Sequence, residues 1–101
     1  MTYAIFVINS NGSVLKSTQL SAPKLDQMQA AVAGWIETIP GFTKFTHEGK
    51  TYTRGKAFAN EEGLLHGLPY NHRATQAWQD CLTNRLGQDL VCNVIFYAKE
   101  H

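Results

Sequence analysis

Charge is scarce in this 101-residue chain: Asp, Glu, Lys and Arg make up 17%, and the formal net charge is +1. Gripping a nucleic-acid polymer takes a dense basic face that neutralises many phosphates, so no such polymer is expected as a partner; a single small anion remains open. Cysteine is scarcer still. Cys81 and Cys92 are too few and too far apart for a four-ligand zinc motif, and no secretory leader is read ahead of them. The expectation is two buried thiols in a reducing cytosol. Long apolar runs are also missing. The longest lie in AIFVI and LVCNVIFYA, well short of the roughly 20 residues that cross a bilayer, so no membrane association is expected.

The chain has no internal repeat, low-complexity tract or linker rich in Pro, Gly or Ser, which leaves nowhere to divide it. Residues 1–101 therefore read as one domain with one core. Hydrophobic residues at 44% argue against disorder, and a lightly charged surface favours self-association.

Catalytic signatures are absent as well. There is no GxSxG elbow, no P-loop and no GxGxxG turn. His47, His66, His72 and His101 fall at no spacing that builds a metal site on one helix or hairpin. Glu61 and Glu62 are adjacent, so in extended backbone they point apart, whereas a catalytic pair must converge on one bond. One of the two remains able to accept a hydrogen bond from a ribose hydroxyl. The chain is expected to be no enzyme and to hold neither metal nor cofactor.

What is present reads as alternating strands and helices. Tyr3 to Asn9 is β-rich, Asn11-Gly12 supplies a tight turn, and a return strand runs from Ser13 to about Thr18. Ser21 and Pro23 sit where a cap and first-turn proline belong, and Leu25, Met28 and Val32 recur at helical spacing up to Gly34. Trp35 to Ile39 opens a strand that Pro40-Gly41 interrupts. Phe42, Phe45 and Tyr52 alternate around a Glu48-Gly49 turn, and Lys56 to Asn60 is one more short strand. Asn71 or Thr75 caps a second helix with Ala74, Ala77, Trp78, Cys81 and Leu82 inward, and Leu90 to Ala98 closes the sheet. This pattern predicts an α+β fold: a mostly antiparallel sheet of five or six strands with two helices, covered on one face. Phe42, Phe45, Tyr52 or Phe58 on the open face would favour a dimer or a flat aromatic ligand. Trp35 and Trp78 read as core, and Tyr70 as exposed.

The segment from Phe58 to Thr75, FANEEGLLHGLPYNHRAT, concentrates turn glycines, carboxylates, amides, an imidazole and a guanidinium between a strand and a helix. Such a loop is where a small rigid domain presents a ligand site. Its candidates for ligand contact are Phe58, Asn60, Glu62, Tyr70, Asn71 and Arg73. Asn71 and Arg73 stand at the start of a helix whose free N–H groups favour an anion, although the commoner role of Asn71 in that place is to cap the helix. Arg54, Lys56, Arg73 and Arg85 are the cations best placed to share an anion.

The segments AVAGWIETIP and FANEEGLLHGLPYNHRAT, followed by a helix and a final apolar strand, carry a resemblance. They resemble a phage-associated family of small domains of unknown function, marked by a glycine-aromatic-hydrophobic-Glu strand and by NEEG and LPxNxxA motifs, from about Leu25 onward. Where such families show Gly-Gly before the aromatic, this chain has Ala33-Gly34, a departure that touches the helix stop more than any site. The layout is also similar to that of the phage sponges that defeat Thoeris immunity by sequestering a cyclic ADP-ribose isomer. That resemblance implies homo-oligomers (a dimer or a trimer of dimers) with pockets between protomers, action in the cytoplasm of an infected bacterium, and in some members sites for cyclic oligonucleotides. By motif it implies Asn71 as the strongest ligand contact, Phe58 as a base-stacking partner, and Arg73 and Arg85 on phosphates. The expected function is sequestration of a cyclic nucleotide signal without cleavage. The alternative is a protein-binding phage inhibitor or adaptor acting on a host enzyme.

Overall fold

Residues 2–63, 67–82 and 89–100 are described by a computed structural model. β1 (Tyr3–Ile8) and β2 (Val14–Gln19) form a hairpin whose turn places Gly12 at φ 93°, a conformation that glycine adopts without steric cost. α1 (Leu25–Val32) follows, then β3 (Ile36–Thr38), β4 (Phe45–His47), β5 (Lys50–Tyr52), β6 (Lys56–Asn60), α2 (His72–Cys81) and β7 (Val94–Lys99). The fold is α+β, with all pairings between named strands antiparallel. A five-stranded sheet has the order β2-β1-β7-β6-β3, and β4-β5 is a separate two-stranded sheet. The main sheet has five strands, as expected; the Phe45–Tyr52 hairpin folds onto it as a separate pair and brings the described strands to seven.

Strand alternation divides β1 and β7 between two apolar clusters. Ala4, Phe6 and Ile8 with Val94, Phe96 and Ala98 face one side, where Phe42, Phe45, Tyr52, Ala74 and Trp78 pack on them. Ile5 and Ile95 face the other, against Met28 and Val32 of α1, with Phe58 and Tyr97 alongside. Both faces of the sheet thus carry packed elements, the α1 face only in part, and the expectation of one wholly open face is corrected. Phe42, Phe45 and Tyr52 lie in the interior, so they offer no docking surface. Each buried aromatic of this kind contributes about 1.5–3 kcal/mol of apolar burial.

Several boundaries also move. α1 starts after Lys24, whose N–H is accepted by Gln27 Oε1 at 3.3 Å, rather than at Ser21 or Pro23. Its stop is Ala33, in the left-handed region at φ 60°, which in a non-glycine residue costs about 1–2 kcal/mol. Gly34 is needed for a different reason: a Cβ there would lie 2.5 Å from Asn60 Nδ2. The last strand begins at Val94 and not Leu90, since Cys92 has φ 58° and breaks the extended run. Trp35 is 65% exposed rather than core, because it sits one residue ahead of the edge strand β3. Trp78 is core and donates through Nε1 to Pro40 O at 2.8 Å. Both thiols are free; Cys92 is buried, but Cys81 is half-buried.

No described helix is long and apolar enough to cross a membrane. Gly55 packs directly on β7, where an added Cβ would run into the Phe96 ring and lie 2.8 Å from Tyr97 O. Gly55→Ala is expected to lower stability by about 1–3 kcal/mol through overpacking, read as a lower midpoint in urea denaturation.

Candidate functional site

The described polar residues of the Phe58–Thr75 segment do not converge. Asn71 is wholly buried. Its Oδ1 accepts from Ala74 N at 3.0 Å as the cap of α2, and its Nδ2 donates to Ile8 O and Cys92 O, each at 2.8 Å. Its main-chain N–H donates to Leu90 O at 2.8 Å. The side chain has no donor left to offer, so the structure makes Asn71 a cap and a joint, and the expectation of ligand contact gives way to that role. Asn60 is similarly committed: Nδ2 donates to Val32 O and Ala33 O at 3.2 and 3.3 Å, and Oδ1 accepts from Glu62 N at 2.8 Å. It ties the end of β6 to the stop of α1.

Glu62 lies on an exposed turn. Tyr70 is exposed as expected, bridges Val91 through its backbone, and sets its ring edge-on to His72 at 5.9 Å. Arg73 reaches Gly12 O with Nη1 at 3.2 Å. It lines a cleft of about 430 Å³ between α2 and the β4-β5 hairpin, with Lys44, Gln76 and Asp80. Asp80 offsets the cations there. Phe58 belongs to the α1 face, across the sheet from α2, so it shares no pocket with Arg73. Arg85 and His66 lie outside the described residues.

A second grouping comes from the register of the sheet. Tyr3 pairs with Lys99, and Tyr97 with Lys56, so both tyrosines and both lysines stand on the α1 face. Arg54 joins them from the turn before β6, held at φ 57°, with Gly55 N–H donating to Thr43 O at 2.9 Å. These residues line a cleft of about 550 Å³ beside Thr53 and Ala22. The Tyr3 and Tyr97 rings meet edge to face at 6.1 Å, and Phe58 stacks behind Tyr97 at 6.2 Å with 10° between planes. Lys99 Nζ lies 6.0 Å from the centroid of Tyr3, within cation–π range.

Three cations and two phenol rings thus share one cleft whose lining has no carboxylate. Arg54, Lys56 and Lys99 form no ion pair with another described residue. Burial pushes the Tyr97 phenol above its usual range, and Tyr3 adds to the shift, so at neutral pH it stays an uncharged donor. The lining offers neither thiol nor imidazole to act as nucleophile or base. Its chemistry suits holding a planar, anionic molecule. Arg54 and Lys56 were legible in sequence as candidate cations; Tyr3, Tyr97 and Lys99 were not, because alternation marks them only as strand residues. The signal that joins them is strand pairing.

The profile of a family described as a domain of unknown function, DUF3846, matches residues 1–100. The chain belongs to this family. Its match takes in the β1-β2 hairpin, ahead of Leu25 where the resemblance in sequence begins, and so covers every lining residue of the basic cleft. No curated protein and no solved structure matches the chain.

The two readings of Asn71 separate by experiment. Asn71→Ala removes a cap and strands two buried carbonyls, so it is expected to lower stability by about 3 kcal/mol in chemical denaturation. A change confined to ligand affinity, at unaltered stability, would contradict the joint described above.

Proposed function

We propose that the chain is a non-catalytic binding protein for a small, anionic nucleotide, held in the cleft of Tyr3, Tyr97, Arg54, Lys56 and Lys99. The observation that carries this reading is the set of three cations, without ion-pair partners among the described residues, around two aromatic rings. A base stacked on a phenol ring gains about 1–3 kcal/mol, and phosphate oxygens take charge-assisted hydrogen bonds from Lys and Arg. Tight binding without turnover suits a lining with no thiol, imidazole or carboxylate.

The finer reading adds the resemblance: a phage anti-defence sponge, working as a homo-oligomer in the cytoplasm of an infected bacterium. It would sequester a cyclic ADP-ribose isomer or a cyclic oligonucleotide intact. The basic cleft replaces Asn71 and Arg73 as the ligand site in this reading, with Phe58 retained behind Tyr97. The alternative, a protein-binding inhibitor or adaptor that blocks a host enzyme through an open sheet edge or an apolar face, keeps the edge strand β2 as its surface, while Phe42 and Tyr52 are buried.

Calorimetry with cyclic ADP-ribose isomers and cyclic di- and trinucleotides tests the proposal. Binding in the micromolar range or tighter is expected, weakening as salt rises, with the ligand recovered unchanged after heating. Lys56→Gln and Lys99→Gln should each weaken it by about tenfold, the equivalent of about 1.4 kcal/mol, while Arg73→Ala leaves it unchanged. No heat with any of these ligands at tens of micromolar protein would end the nucleotide reading.

A further inference from the structure

β2 is one edge of the five-stranded sheet, and no described strand pairs with its outer row of main-chain groups. We infer that β2 pairs antiparallel with β2 of a second copy of this chain, about a two-fold axis through Ser17. The inference is independent of what the basic cleft binds.

The backbone decides which groups face outward. Asn9 N–H donates to Ser13 O at 2.8 Å, and the register continues through Val7 with Leu15 and Ile5 with Ser17. Bonded pairs alternate along an antiparallel ladder, so the odd-numbered residues of β2 turn their N–H and C=O groups toward β1. Val14, Lys16 and Thr18 turn theirs outward, where no described strand of the same chain accepts them.

Edge strands avoid pairing through proline, bulges or outward charge. β2 has neither proline nor a break in register. Its one charge, Lys16, is drawn over the hairpin face, 3.8 Å from Glu100 Oε2 and 5.6 Å from the Tyr52 centroid. Apolar surface stands beside the edge instead: Leu15 is 64% exposed and Leu20 81%.

Symmetry then selects the register. A two-fold axis normal to the sheet keeps matching faces together and sets one residue opposite itself. Centres at Lys16 and Ser17 retain the longest overlap of the six-residue strand. A Lys16 centre opposes two ammonium groups, which is unfavourable. The Ser17 centre instead joins Lys16 to the partner's Thr18 and Thr18 to the partner's Lys16. Both residues face outward, so two reciprocal pairs of main-chain hydrogen bonds form. Exposed Leu20 then stands opposite the partner's Val14, on the face that carries Ile8.

Light scattering on a sizing column should give a dimer at tens of micromolar protein. Ser17→Cys is expected to form a disulfide-linked dimer under mild oxidation, above the wild-type background from Cys81 and Cys92. Thr18→Pro removes an outward N–H without touching a β1 bond and should give a monomer with unchanged far-ultraviolet circular dichroism. A wild-type monomer at these concentrations overturns the inference. So does a dimer that Ser17→Cys fails to cross-link, an outcome that decides the question even if Thr18→Pro does not fold.

Discussion

The Asn71 side chain is the joint on which the arrangement of this domain depends. One amide caps α2, holds the carbonyl that ends β1, and holds the carbonyl of Cys92 two residues ahead of β7. The interior around it is apolar, and a buried carbonyl without a partner is costly there. Only a side chain with both an acceptor and two donors satisfies all three groups, which is why an amide, and not a carboxylate or hydroxyl, occupies the position. With that corner set, Ala74 and Trp78 meet Phe6, Val94 and Phe96, and Trp78 in turn anchors Pro40 ahead of the hairpin.

The sheet separates the larger apolar core from the face that carries the proposed binding cleft. The hairpin and α2 face hold most of the apolar mass, with Phe6, Phe42 and Phe96 almost fully buried. The α1 face is only partly covered, since α1 has eight residues. Beyond its reach the same strands expose Tyr3 and Tyr97 with Lys56 and Lys99, side by side through cross-strand pairing. In the proposed reading, a rigid sheet sets the spacing of these groups in advance, which would reduce the ordering cost of binding. The left-handed backbone at Arg54 and the glycine after it bring the third cation to the rim, a local strain of the kind that accumulates at binding sites.

Membership of a family of unknown function leaves the chemistry to be argued from this cleft, and the polar loop that stood out in sequence proved to be mostly architecture. FANEEG and LPYNHRA carry turns, caps and inter-element bonds: Asn60 to the end of α1, Asn71 to β1 and the segment before β7. An amide at a loop-to-helix junction reads the same in sequence whether it faces a ligand or a neighbouring strand. Burial alone separates the two, and burial depends on contacts with residues more than sixty positions away.

Local chemistry was sufficient for the α+β class, the Asn11-Gly12 turn, the β4-β5 hairpin, β6 and the span of α2, because each follows from short-range pattern and turn preference. Helical spacing also marked Trp78 as core. Tertiary structure decided the rest. That the sheet carries packed elements on both faces, that Phe42 and Tyr52 are interior, that Trp35 is exposed, and that Tyr3, Arg54, Lys56, Tyr97 and Lys99 share a cleft all depend on which strands are neighbours. A strand's period of two states which residues share a face, but not which other strand completes it. Pairing first with last strand, β1 with β7, is a long-range choice made by the core as a whole, and it is that choice which assembles the basic, aromatic cleft from both ends of the chain.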